Sequence, residues 1–308
     1  MNKRTFGIAA TVLATMLWGM LIIPERNLTD AGFSSLDIAF VRMGLTAVVL
    51  FVVLLLIDRK SLKIKLKDLW IFPIFGFMEM LSEAFIFYAM DHTSAALAVL
   101  LQMTSPYYIM LMAYFFFGEK ITKRMAIASI IALVGCLFAT GAILGVDRLD
   151  VLGIFAGIGS GVAYAAFVIG SRISMERDYT PQGTLFYTFL FGALFSIPLV
   201  DFEGITTAMS NSISTTGYVV SMAIFMTAVP YYLSNIAIRD IGASLTSIIE
   251  LLEIVFAAFF ELVVFGTGFD IMKIPGMILI FVAMIVFDEQ SYNYVVNKLK
   301  SIMHRSGG

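Results

Sequence analysis

"GASLTSIIELLEIVFAAFFELVVFG" runs from Gly242 to Gly266 and aligns without gaps on "SAALAVLLQMTSPYYIMLMAYFFFG", Ser94 to Gly118. The alignment sets Gly118 on Gly266 and Gln102 on Glu250. A second match lies at almost the same offset. "GIAATVLATMLWGMLIIPER" from Gly7 aligns on "GIFAGIGSGVAYAAFVIGSR" from Gly153, pairing Trp18 with Tyr164 and Arg26 with Arg172. The offsets are 148 and 146 residues, so the chain reads as a duplicated unit. Apolar helices resemble one another in general, but matched glycines at a nearly constant offset favour duplication.

Both units are apolar over lengths that cross a bilayer. Residues of the whole chain are 60% hydrophobic and only 14% charged, with a mean hydropathy of +0.93. A soluble domain of this length needs more charge to cover its surface. The runs are too long and too uniformly apolar for barrel strands, so the chain is read as an all-α integral membrane protein. Ten spans are expected at roughly 5–24, 35–57, 69–90, 93–117, 122–144, 150–172, 182–200, 214–238, 242–265 and 271–288. Two five-span halves follow, 1–145 and 150–288, with a polar tail at 289–308. An odd number of spans per half makes the halves inverted repeats, an arrangement that builds a central site near the midplane.

Positive charge orients the chain. Lys3, Arg4, Arg59, Lys60, Lys63, Lys65, Lys67, Lys120, Lys123, Arg124, Arg172, Arg177, Arg239, Lys298, Lys300 and Arg305 fall on one side of the expected spans, and Arg26, Arg148 and Lys273 on the other. The positive-inside rule then puts both termini in the cytoplasm of a plasma-membrane protein. No basic domain is available for nucleic acid. The single cysteine, Cys136, allows no intrachain disulfide.

Charge inside the spans is the functional signal. Arg42, Glu79, Glu83, Glu250, Glu253 and Glu261 all lie well within apolar runs, where a charge costs about 2.5–3.5 kcal/mol on insertion scales. One arginine neutralises only one glutamate. The others need water, a cationic ligand or a proton. At about 100° per residue, Glu250, Glu253 and Glu261 fall within an arc of roughly 80°, and Glu79 and Glu83 share a face at i, i+4. In the first half, Gln102, Ser105 and Ala113 stand at the positions of Glu250, Glu253 and Glu261. The acidity is therefore a property of one half and not of the scaffold. Glu250, Glu253, Glu79 and Glu83, with Gln102, Trp18, Tyr164 and Arg42, are the candidate residues for a solute or proton. Glu261 reads equally well as an interfacial residue, and Arg42 as a structural partner for a glutamate. Aromatic faces beside carboxylates suit an organic cation; scattered packing is the plainer reading of the same rings.

Two further features read as structure. Gly153, Gly157 and Gly161 recur every four residues, a spacing that lets helix backbones approach closely. Pro106 and Pro230 within spans are candidate hinges. The chain has no GxxxxGK[ST] loop for ATP and no HExxH. Its two histidines, His92 and His304, are placed in a loop and the tail, so neither a metal nor any other cofactor is expected.

"LWG" at Leu17–Gly19, "FVRMGL" at Phe40–Leu45, the Pro-to-Gly-Glu run "TSPYYIMLMAYFFFGEKIT" at Thr104–Thr122 and the ninth span resemble, in order, the motifs of the drug/metabolite transporter superfamily, ten-helix EamA type. The resemblance implies a transporter and no enzyme. It makes Glu253 the counterpart of the family's ninth-helix glutamate. The chain departs from the pattern at Ile254, where the family commonly has proline, and at Thr267, where it usually has glutamate. The expected activity is secondary transport of a small organic solute, cationic or zwitterionic, by alternating access with proton-coupled export. Uptake of an organic cation and a non-transporting scaffold or sensor are the alternatives. The expected partners are that solute, the lipid bilayer and protons.

Overall fold

A computed structural model describes residues 2–142, 150–266 and 270–306, with side chains through Lys298. Arg148, Thr267 and the side chains of Lys300, His304 and Arg305 lie outside it. The described residues form helices in the order α1 (Lys3–Gly19), α2 (Ile22–Asp30), α3 (Ser35–Ile57), α4 (Ile71–His92), α5 (Ala95–Gln102), α6 (Ser105–Phe117), α7 (Lys123–Ala139), α8 (Val151–Glu176), α9 (Pro181–Ser196), α10 (Phe202–Asn211), α11 (Ile213–Ala223), α12 (Val229–Ile241), α13 (Ala243–Glu250), α14 (Leu252–Phe265), α15 (Ile274–Phe287) and α16 (Glu289–Ser306). Their starts carry side-chain caps: Ser34 and Asp37 form a capping box on α3, and Thr122, Asp150 and Thr180 cap α7, α8 and α9.

Among the described residues, seven helical segments are long and apolar enough to cross a membrane, and an eighth is reached if the bent pair α15–α16 counts as one. The sequence led to ten, and physical features account for the difference. Helix α7 has 17 residues, at the short end of what spans the hydrocarbon. The segment α13–α14 is long enough but carries Glu250, Glu253 and Glu261. The tail, expected to be polar, is the helix α16, bent by 102° from α15. The stretch between the seventh and eighth expected spans holds α10.

Breaks recur at matched positions. Helix α5 ends at Gln102 and α13 ends at Glu250, and both chains continue at once as α6 and α14. Those helices end on Gly118 and Gly266, with φ of 67° and 62°, a left-handed conformation that glycine adopts without strain. Packing partners match across the same offset: α1 lies against α12 and α14, while α8 lies against α4 and α6. Helix α3 packs on α9, and α7 on α15.

Small residues set these crossings. The Gly153–Gly157–Gly161 stripe of α8 faces His92, Leu101 and the Gln102 carbonyl, so it seats the broken α5–α6 helix. A Cβ on Gly276 would stand 2.3 Å from the Ala139 nitrogen and 2.5 Å from the Gly135 carbonyl. Gly276→Val is therefore expected to destabilise the protein by about 1–3 kcal/mol or more, seen as a lower melting temperature in detergent. Gly217→Ala, with open space around it, should not lower it. Equal midpoints would contradict the close α7–α15 crossing.

Pro106 is the second residue of α6 and Pro230 the second of α12. Pro230 follows a π-helical segment, Ile224–Ala228, which relieves the clash of the ring with the preceding turn. The Ala223 carbonyl at the start of that segment accepts the Thr46 hydroxyl of α3 at 2.9 Å. Two large buried apolar clusters result, beside a small third one of Ile86, Ala89 and Ala98. One large cluster gathers α1, α3, α8, α9, α11 and α12, the other α7, α13 and α15 with parts of α5, α6 and α14.

Candidate functional site

A cavity of about 540 Å³ lies between the two large clusters. Its floor is formed by Trp18, Tyr164, Tyr231, Ser247 and Glu250. Ser247 and Glu250 are almost fully buried. Its walls carry Arg42, Glu83, Gln102 and Glu253, and Glu25, Glu261 and Lys273 line it farther out. The ion pair of Arg4 with Asp288 joins the start of α1 to the end of α15. The cavity reaches toward the opposite end, where Ile22, Thr140 and Lys273 line it.

Glu250 owes its place to the helix break. As the last residue of α13 it projects from the interruption toward α8 and α12. Ser234 donates to its Oε1 at 2.6 Å and Tyr164 to its Oε2 at 3.4 Å. Gln102, its repeat mate, ends α5 and donates from Nε2 to the Ser160 hydroxyl of α8 at 3.0 Å. Both broken helices thus put a polar side chain onto α8, but only one of the two is acidic.

Trp18 and Tyr164, mates in the repeat, both line the cavity. Tyr231 completes the floor. Its ring meets Trp18, Phe167 and Phe189 edge-on at centroid distances of 5.0, 5.7 and 4.9 Å. Such contacts fix the ring while its hydroxyl donates to Glu79.

Glu79 and Glu83 share a face but do different things. Glu83 lines the cavity and forms an ion pair with Arg42. Glu79 does not line it. It is 1% exposed and accepts the Tyr231 hydroxyl at 2.8 Å. Residues four apart are rotated by about 40° and lie about 6 Å apart along the axis, enough to put one in the cavity and the other behind its wall. Arg42 takes the structural partnership that its position suggested and lines the cavity as well. Glu261 also faces the cavity.

At the end near the termini, side chains link neighbouring helices. The Arg172 guanidinium pairs with Glu119 and lies 4.0 Å over the Phe117 ring, while Ser244 donates to Glu119 at 2.7 Å. These residues join α8, the exit of α6 and the start of α13. The repeat mates of Arg172 and Phe117 meet at the other end: Arg26 lies 4.6 Å over Phe265. Nearby, Arg177 binds Asp68 at 2.5 Å. In the same surface, hydrogen bonds hold the Asp58 carboxyl below the ordinary range, foremost the one from Ser61.

The EamA-like transporter family model matches this chain twice, over residues 5–141 and 151–287. The chain belongs to the EamA-like transporter family. Among curated proteins, the uncharacterized transporter YyaM of Bacillus subtilis (strain 168) is 28% identical over 262 residues, covering 80% of this chain and 82% of that protein. An uncharacterized transporter of Archaeoglobus fulgidus is 23% identical over 283 residues, 91% of this chain and 96% of its own length. A solved structure, titled only as the crystal structure of a protein, superposes with a TM-score of 0.76 at 16% identity, covering 94% of this chain and 99% of that one. That likeness shows the fold. The protein is therefore a multi-pass membrane protein of a transporter family within the drug/metabolite transporter superfamily, and the family and the names of its relatives point to transport rather than enzymatic chemistry.

Within this EamA-like chain the sequence missed three contributors. Glu25 follows the expected end of the first span, yet the helical path continues through α2 and turns it into the cavity. Its position directly after "LIIP", one residue before the paired Arg26, was the available signal. Tyr231 was one tyrosine among several within spans. Ser234 had no mark at all, because its role depends on α12 facing the break in the neighbouring segment.

Proposed function

We propose that this protein is a secondary transporter that moves a small organic cation or zwitterion across the plasma membrane by alternating access. Ten spans in two inverted halves, 1–145 and 150–288, with both termini cytoplasmic, form the scaffold. The twofold family match, the matched helix breaks and the matched packing partners support that reading. The cavity then faces outward, and rocking of the halves would close it there and open it at the Arg172–Glu119 end.

The observation that carries the proposal is the charge of the cavity. Glu25, Glu83, Glu250, Glu253 and Glu261 line it against Arg42 and Lys273, above an aromatic floor. In a low-dielectric enclosure such an excess of carboxyl groups favours a cation or protons. Proton-coupled export is the version we favour, since a carboxyl that binds either a proton or an ammonium group exchanges one for the other across the membrane. The test is a thermal-shift screen of amines, amino acids, nucleosides and drugs at two pH values. Amines or zwitterions are expected to raise the melting temperature, more so at the higher pH, where fewer protons compete. Stabilisation only by anions would overturn the reading.

A further inference from the structure

We infer that Glu79 is a second proton site, held apart from the solute cavity behind Tyr231, in addition to the cavity carboxyls at which proton and solute compete. The inference rests on the transport reading for its use but not for its geometry. Glu79 is 1% exposed, and only one of its oxygens has a partner, the Tyr231 hydroxyl at 2.8 Å. The other oxygen is buried without a hydrogen bond. An ionised carboxylate in that position leaves a charge unmatched in the interior. The neutral acid leaves at most a single neutral polar atom unmatched, which costs far less.

The surrounding groups offer one positive charge, and it is already engaged. From α3, Arg42 is committed to Glu83, and its buried Nε has no partner of its own. From α4 itself, Glu83 adds a like charge. Helix α12 presents Tyr231 and α8 presents Tyr164, both hydroxyls. Helix α9 turns Tyr187 away, to the Leu62 carbonyl, and α5 contains no ionisable residue. The geometry therefore holds Glu79 as the neutral acid in this conformation.

Tyr231 couples the two sites. Its ring is part of the cavity floor against Trp18, and its hydroxyl covers Glu79. It sits one residue past Pro230 and three past the π-helical segment, where the helix is least constrained by regular hydrogen bonds. A solute that displaces Trp18 and Tyr231 would uncover Glu79, and the rearrangement that releases the solute would cover it again.

Infrared spectroscopy of the purified protein in lipid tests this without any solute. At neutral pH the wild-type spectrum should contain a protonated-carboxyl C=O band, one component of which disappears in Glu79→Gln. That component should shift in Tyr231→Phe, which keeps the ring and removes the hydrogen bond. It should also exchange with D2O more slowly than any component lost in Glu250→Gln, since Glu79 lies behind the wall. Should Glu79→Gln fail to fold, the Tyr231→Phe shift decides alone. An unchanged band in both variants, or exchange as fast as that of Glu250, would overturn the inference. Failure of the ligand screen with this band intact would instead count against transport and leave Glu79 as a buried acid.

Discussion

Glu250→Gln is expected to fold normally and to lose at least about tenfold in affinity for any cationic ligand, because a buried hydrogen bond to a charged group contributes about 1.5–3 kcal/mol. Glutamine preserves the shape, and its side-chain oxygen can still accept from Ser234. The variant removes the charge alone. Glu250 is 7% exposed at the cavity floor, so solvent screens it little. Gln102 offers a natural comparison: the same fold tolerates an amide at the equivalent break. The melting temperature of the unliganded variant should match the wild type or exceed it. Binding of the best ligand from the screen, measured by calorimetry at two pH values, should weaken and lose most of its pH dependence. Unchanged affinity would move the site to Glu253 or Glu25.

Glu119→Gln is expected to shift the protein toward the state open at the terminal end. Glu119 collects Arg172 and Ser244 from two other helices, while the matching contact at the far end, Arg26 over Phe265, involves a phenyl ring. The pair is partly exposed, so its worth is below that of a buried one; a change of about 1–2 kcal/mol corresponds to a five- to thirtyfold shift in the equilibrium. Ser247→Cys on the cavity floor, in a Cys136→Ala background, reports it. A membrane-impermeant thiol reagent applied from the cytoplasmic side should label that cysteine several-fold faster in Glu119→Gln. Equal labelling rates would show that this contact does not hold the end shut.

Much of this architecture was legible because membrane spans and duplication leave one-dimensional traces. Gly118 and Gly266 marked helix ends, and Gln102 and Glu250 were already paired. What stayed hidden depends on contacts between helices. No feature of "SIIELLE" marks the break at Leu251, because the residues flanking it are good helix formers; packing decides it. The i, i+4 spacing of Glu79 and Glu83 predicted a common face correctly, but not that the cavity wall runs between them. Glu25 was missed because hydropathy ends the first span at Pro24, while the helical path continues.

The most direct measurement is solute flux in proteoliposomes. A cationic ligand found by thermal shift, loaded with the reconstituted protein, should leave faster when an opposing proton gradient is imposed. Glu250→Gln should abolish that acceleration without loss of folded protein. Flux from wild-type liposomes no faster than from protein-free ones, with a ligand that demonstrably binds, would contradict the account.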